Sequence, residues 1–332
     1  MNRWREAAIP LALAAAVLAV PLVVKNPYHL NVAILVLVWT TLGAAWNIVG
    51  GYAGQLSLGH AAFFGIGAYS LALTAHYWGW SPWAGMAMAV AVSVPLAAAI
   101  GAITFRLRGP YFVLGTLALA EVLRLVVLAW RDLTYGAVGI MVPEIFPGVS
   151  RVPYYYFIAL AAIAAVGTTW WMERSRFGYY LTAIREDQET AESIGVNAAW
   201  YKNLALMISA AFTALTGAFY ASHLMFIEPD IVLSEPVSVE MAVVAIIGGR
   251  GTVFGPLVGA LLLVLASEVF RAQFQQAHLL IYGLLLMVTI LFMPGGVLGE
   301  IQHRLRLRAA PRQVIGTTFS SSHESSGQRE VG

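Results

Sequence analysis

Hydrophobic residues along this chain gather into long runs, with the polar positions confined to the gaps between them. The runs cover residues 7 to 24, 30 to 49, 60 to 78, 83 to 105, 111 to 130, 154 to 172 and 204 to 226, and shorter ones follow near 237 to 248, 255 to 270 and 278 to 293. A bilayer core about 30 Å thick needs roughly 20 mostly apolar residues per helical crossing. In lipid only helices and closed barrels satisfy every backbone polar group, and continuous runs are not the alternating segments of barrel strands. The pattern predicts an all-α integral membrane protein, a polytopic bundle of about 8–10 transmembrane helices. The run at 237 to 248 is short enough to be a broken or re-entrant helix.

Composition agrees: 59% of the 332 residues are hydrophobic and 11% charged, against roughly a quarter charged in a soluble domain. The net charge of +2 and the scattered basic residues do not track a phosphate backbone, so no nucleic-acid partner is expected. Without cysteine there are no disulfides, thiolate metal sites or cysteine nucleophiles. The seven histidines lack metal-ligand spacing, and no metal is expected. No Ser/His/Asp order marks an enzyme. The only lysines, Lys25 and Lys202, lie outside any glycine-rich phosphate loop. ATP hydrolysis, if it drives this chain, belongs to another one, and no cofactor is expected here.

Lys and Arg favour cytoplasmic loops. A cytoplasmic N-terminus places Arg3, Arg5, Arg106, Arg108, Arg174, Arg176, Arg185, Lys202, Arg250, Arg304, Arg306 and Arg308 inside. Only Lys25, Arg131, Arg151 and Arg271 then fall outside, together with the acidic Glu228, Asp230 and Glu235. Residues 1 to 24 have the charge pattern of a signal peptide but no cleavage site before Lys25, so an uncleaved first helix is expected. Residues 1 to 308 read as one membrane domain with a cytoplasmic loop at 173 to 203. The polar segment 309 to 332 reads as a disordered cytoplasmic tail.

The loop holds "LTAIREDQETAESIGVN", with Arg185, Glu186, Asp187, Glu189 and Glu192 close together. Residues 182 to 194 predict one helix, with Ala183, Ile184, Ala191 and Ile194 as its small or apolar contacts and Gly195 at its C-terminal cap. Such a helix is either a solvated connector or a rigid element on which a soluble motor docks.

Two glycine-rich segments stand in opposite halves of the chain. "GGYAGQLSLGHAAFFGIG" contains Gly54 and the polar Gln55, Ser57 and His60, and "IGGRGTVFGPLVGA" contains Gly251 and Gly255. Small residues permit close helix packing, for which Ala61 and Gly65 are candidates. Alternatively, paired interruptions mark broken helices along a solute pathway. "AEVLR" at 120 to 124 is echoed by "SEVFR" at 267 to 271, each about a dozen residues after a Gly-Pro that suits a helix start. Glu121 and Arg124, three apart, form either a structural ion pair or a proton relay.

Glu189, Thr190, Ala191 and Gly195 resemble the E-A-A-x-x-x-G pattern of ABC importer permeases, with Thr190 in place of the first Ala. The longer stretches "AIREDQETAESIGVN", "WYKNLALMISAAFTALTGAFYA", "LRGPYFVLGTLALAEVLR" and "IIGGRGTVFGPLVGALLL" resemble branched-chain amino-acid permeases of the LivM type. That resemblance implies an ABC importer permease fold in a bacterial inner membrane and import of a branched-chain amino acid, or a related solute such as urea or an amide. It implies a second, related permease subunit as heterodimer partner, two ABC ATPase subunits carrying the ATP, and a periplasmic solute-binding protein. The docking residues would be Arg185, Glu186, Asp187, Glu189, Ala191, Glu192 and Gly195. The competing readings are an ion-coupled carrier using Glu121, Arg124, Glu240 or Glu268, and a non-transporting scaffold.

Overall fold

The computed structural model describes residues 3–107, 109–148, 150–273, 283, 287 and 296–299, without the side chains of 3–9 and 271–273. The tail, Arg108, Arg304, Arg306, Arg308 and, but for two positions, the run at 278 to 293 lie outside the described residues. The chain is a helical bundle. In order, α1 is Arg3–Val23, α2 Pro27–Asn47, α3 His60–Trp78, α4 Pro82–Thr104, α5 Pro110–Ala129, α6 Arg131–Thr134 and α7 Val152–Glu173. Two short helices, α8 (Arg176–Glu186) and α9 (Gln188–Ser193), precede α10 (Ala198–Leu224), α11 (Pro229–Val232), α12 (Glu235–Gly249) and α13 (Gly255–Gln273). Among the described residues six segments are long and apolar enough to cross a membrane: Pro27–Tyr52, Pro82–Thr104, Pro110–Ala129, Val152–Glu173, Ala198–Leu224 and Pro229–Gly249. The protein is a multi-pass membrane protein.

The short run at 237 to 248 belongs to the last of these segments, because α11 and α12 together extend it to 21 residues. Helix starts follow local chemistry. Pro27, Pro82 and Pro110 sit in the first turns of α2, α4 and α5, where a missing N–H costs nothing. Ser81 and Asn26 accept from the N–H groups of Ala84 and Tyr28. α3 and α10 cross in close contact: a Cβ on Gly67 would lie 2.0 Å from the Ala214 carbonyl, and one on Gly217 2.0 Å from that of Phe64. Without a hydrophobic driving force between helices in lipid, such backbone approach is what binds them.

Turns from distant parts of the chain meet at each end of the bundle. At one end Ile140 and Met141 (β1) pair antiparallel with Ile227 and Phe226 (β2). At that same end Arg124 binds Glu121 through Nε and Nη2, at 2.9 and 2.6 Å, and reaches Asp230 through Nη1 at 2.6 Å. The pair expected between Glu121 and Arg124 is thus part of a triad fastening α5 to the α10–α12 connection, and its carboxylates lie toward the bundle's end rather than inside it. Glu268 of the echoed motif accepts from Tyr28 at 2.7 Å. Glu240 sits half-buried on α12.

Candidate functional site

At the opposite end the two glycine-rich segments and the charged loop come together. α2 does not stop cleanly at Asn47: residues Ile48–Tyr52 continue it as a π-helical turn, after which the chain runs irregularly to His60. The glycine pair makes this geometry accessible, because the side chains one turn earlier fold back over it. Trp46 lies where a Gly50 side chain would be, and the Asn47 amide lies over Gly51, 1.9 Å from where its Cβ would stand. π-turns inside helices occur frequently at functional sites.

The irregular segment is held by side chains. The Trp46 indole donates to the Ser57 carbonyl at 2.8 Å, and Leu58 N–H donates to Thr116 Oγ1 at 3.2 Å. His60 and Ser57 are buried inside this network. Gly59 N–H donates to Ser57 Oγ, Ser57 Oγ faces His60 Nδ1 at 3.1 Å, His60 Nε2 faces Ser209 Oγ at 2.9 Å, and Ser209 donates to the Ala45 carbonyl. Because Ser209 gives its proton to Ala45, it accepts from Nε2–H, and Nδ1 accepts from Ser57. One neutral tautomer satisfies every member, so Ser57 and His60 shape the helix break. Gln55 and Gly54 are only half-buried, at the mouth of the break. Of the packing candidates, Gly65 lies against Leu233, and Ala61 N–H donates to Ser238 Oγ at 2.7 Å.

The second break, between α12 and α13, is the turn holding Gly251 (φ +73°) and Gly255. Asn47 bridges to it, accepting from Gly251 N–H at 2.8 Å and donating to the Thr252 carbonyl at 2.9 Å. Arg185 reaches both breaks. Its Nη1 donates to the Gly51 carbonyl at 3.1 Å, its Cγ stands 2.6 Å from where a Gly54 side chain would begin, and Nη1 is 2.9 Å from the same point on Gly251. Arg250 places a second guanidinium nearby, and desolvation with the like charge of Arg185 lowers its pKa.

The charged loop is two helices where the sequence predicts one. Asp187 adopts an extended conformation (φ −154°, ψ 107°) and caps α9: Oδ1 accepts from Thr190 N–H at 3.0 Å, and Oδ2 from the Thr190 hydroxyl at 2.9 Å. Thr190, the departure from the family pattern, thus completes the cap. These bonds from Thr190 hold the Asp187 carboxyl below its ordinary pKa. At the other end Gly195, at φ +90°, gives its N–H to the Glu192 carbonyl while Val196 gives its own to Ala191. This is a Schellman cap, which needs a residue free to take positive φ.

Packing fixes α8 and α9 onto the bundle. Leu181 joins Ile48, Tyr52, Met172 and Ala205, and Ile184 clusters with Ala191, Val196 and Ala198. The buried Lys202 of α10 donates to Gln188 at 2.6 Å. Arg185 and Lys202 therefore turn inward, while Glu186, Asp187, Glu189 and Glu192 are exposed, as is Gly195. Two expected members of the docking set are not on that surface. Ala191 is buried because α9 rests on it, and Arg185 points back to the breaks. Ile194, expected as an inward contact, is instead 76% exposed at the tip, because the cap turns it away. Asn47, Trp46 and Ser209 carry no signal in the sequence, where each reads as an ordinary residue in an apolar run.

A family model described as branched-chain amino acid transport system / permease component matches residues 28–293. The chain is 28% identical over 327 residues to the high-affinity branched-chain amino acid transport system permease protein LivM of Salmonella typhimurium, covering 90% of this chain and 76% of that one. It is also 31% identical over 138 residues to the permease protein BraD of Pseudomonas aeruginosa, covering 40% and 43% of the two chains. With the permease protein LivH of Escherichia coli it shares 28% identity over 139 residues, covering 42% and 44%. With its apolar helices, its pair of joined helix breaks and a match over most of its length, the chain belongs to the branched-chain amino acid transport system permease components.

Proposed function

We propose that the chain is one permease subunit of an ATP-driven importer of branched-chain amino acids, or of a related small polar solute, in a bacterial inner membrane. α8 and α9 form the coupling element on which an ATPase subunit docks. Two such subunits carry the ATP, a periplasmic protein delivers solute to the opposite end, and a second, related permease completes the pathway. Similarity to both a LivM and a LivH protein favours a related but different chain as that partner. The observation that carries the reading is Arg185: it sits in the exposed polar loop and hydrogen bonds to the broken end of α2. A partner's movement at α8 and α9 thereby has a route to the membrane segment through Arg185 of α8, which a solvated connector would not need.

In this reading the paired breaks border the solute's passage, with Gly54 and Gln55 nearest its mouth, Gly251 and Gly255 forming the other wall, and Ser57 and His60 supporting the first. Affinity resides in the delivery protein, and ATPase binding shifts the permease between states by contacting them unequally. The ion-coupled alternative loses its best carboxylate, since Glu121 is held by Arg124 in the triad with Asp230.

The test is affinity purification of the tagged chain from its native membrane in mild detergent. The parent chain should bring down ATPase subunits and a second permease, and the double change Glu189→Lys, Glu192→Lys should lose the ATPases while keeping the permease. Recovery of the chain alone, or of ATPases undiminished by the charge reversal, refutes the docking role.

A further inference from the structure

The contact between the two helix breaks is made by a side chain that the docking function does not itself require. Asn47 is buried, and both faces of its amide are used on one stretch of the α12–α13 turn, through Gly251 N–H and the Thr252 carbonyl, some 205 residues away in sequence. The amide takes the place of a neighbouring strand for a turn that has no ladder of its own. Arg185 closes the arrangement from the loop side by binding the Gly51 carbonyl. Its remaining nitrogens go elsewhere: Nε and Nη2 donate to Glu186 at 3.1 and 2.7 Å, and Glu186 lies on the exposed face.

We infer that Asn47 and Arg185 form a clamp between the two helix breaks that opens and closes during transport. Asn47 is its pivot, and Arg185, shared between Gly51 and Glu186, is its lever. Three features carry this. The segments joined are a π-turn, whose i→i+5 bonds depart from the regular α-helical ladder, and a glycine turn between two helices. The Asn47 bonds that join them, and the Arg185 bond that holds the first, are polar and geometrically specific, so they favour discrete arrangements over continuous deformation. One guanidinium also contacts both the exposed carboxylate and the break, so a subunit that captures Glu186 changes what holds Gly51. That last step rests on the docking reading; the clamp itself does not. Asn47 is a positioning residue, since it acts through the two backbones.

The absence of cysteine permits a direct test. In the reconstituted complex, Asn47→Cys with Thr252→Cys is bridged by a short bis-methanethiosulfonate, and uptake of leucine, isoleucine and valine is measured beside ATP hydrolysis. Bridging should lower uptake at least tenfold below that of the same double variant before bridging, and a reductant should restore that level, while Thr252→Cys capped with a monofunctional reagent keeps the uptake it had before capping, since Thr252 meets Asn47 through its backbone carbonyl. Full uptake through the bridged chain shows a static support and overturns the proposal. If the double variant fails to assemble, Asn47→Asp serves instead, because it keeps the acceptor for Gly251 and removes the donor to Thr252. It should lower solute moved per ATP several-fold with the ATPases still bound, and an unchanged ratio again overturns the clamp. If the parent chain binds no ATPase, the docking reading fails, while reversible block of uptake by the bridge still decides the clamp.

Discussion

At the scale of single residues, the positions that matter most are those where a side chain is missing. Gly67 and Gly217 face each other's helices so closely that a methyl group at either would strike a carbonyl of the partner backbone, which cannot rotate away. Gly217→Ala should therefore destabilise the protein by about 1–3 kcal/mol, the usual range for overpacking, read as a lowered midpoint of thermal unfolding in detergent. Gly167→Ala on α7 is the matched control: its Cβ would meet nothing within 4 Å, and alanine favours the helix by up to about 1 kcal/mol. An equal effect at both sites would show that the α3–α10 contact is looser than described. The same scale explains why the interior polar residues were hard to read. Gln55, Ser57 and His60 stand out in a sequence as polar groups within a span, which suggests a pathway. Ser57 and His60 are hydrogen bonded within the protein because the helix break leaves backbone groups that need partners. Asn47, which holds the second break, gives no such signal, since its importance lies in a turn 205 residues distant.

Among the elements, the long helices were legible and the short ones less so. Expected and observed ends agree at both termini of α3 and within one or two residues for α4, α5 and α7, since an apolar run bounded by Gly or Pro leaves little freedom. α10 begins at Ala198 rather than near 204, because Asn197 caps it on the N–H of Trp200 and Lys202 is buried against α9. A polar first turn conceals such a start. The break between α8 and α9 is hidden in the opposite way, because Asp187 in the sequence is one more charge in a helical pattern and in the structure is the cap of α9. Its cap predicts a specific pattern. Asp187→Ala should fray α9 and weaken ATPase retention several-fold, whereas Asp187→Asn, which keeps an oxygen for Thr190 N–H, should retain most of it. The pH dependence has a definite sign. A carboxyl whose folded pKa lies below its unfolded value of about 3.9 stabilises fully above that value, and the contribution disappears as pH falls through the folded pKa. Hydrogen exchange over residues 188 to 196, corrected for intrinsic rates, should be level from about pH 8 to 5 and accelerate only below about pH 4. Acceleration near neutrality would mean that another group controls α9.

For the whole molecule, what the sequence leaves hidden is convergence. Hydropathy gives the order of the spans, and the distribution of Lys and Arg gives a preferred orientation, but neither says that residues 47 to 55, 185 and 251 share one site. In the structure Arg106, Arg174, Arg176, Arg185 and Arg250 lie at the end that holds α8 and α9, and Lys25, Arg131 and Arg151 at the end that holds β1 and β2. This sorting makes orientation testable with two single cysteines. Ile194→Cys and Met141→Cys introduce the only thiol of each variant, at positions 76% and 74% exposed on opposite ends. A membrane-impermeant thiol reagent should label Met141→Cys on intact spheroplasts and Ile194→Cys only in inverted vesicles. The reverse pattern would place α9 on the side of the solute-delivery protein, where no ATPase could reach it, and would remove the docking role along with the orientation. Labelling of both from one side would contradict the alternation of the helices themselves. The expected pattern would put the acidic face of α9 where a soluble motor acts, with Arg185 linking the loop behind that face to the broken helix α2.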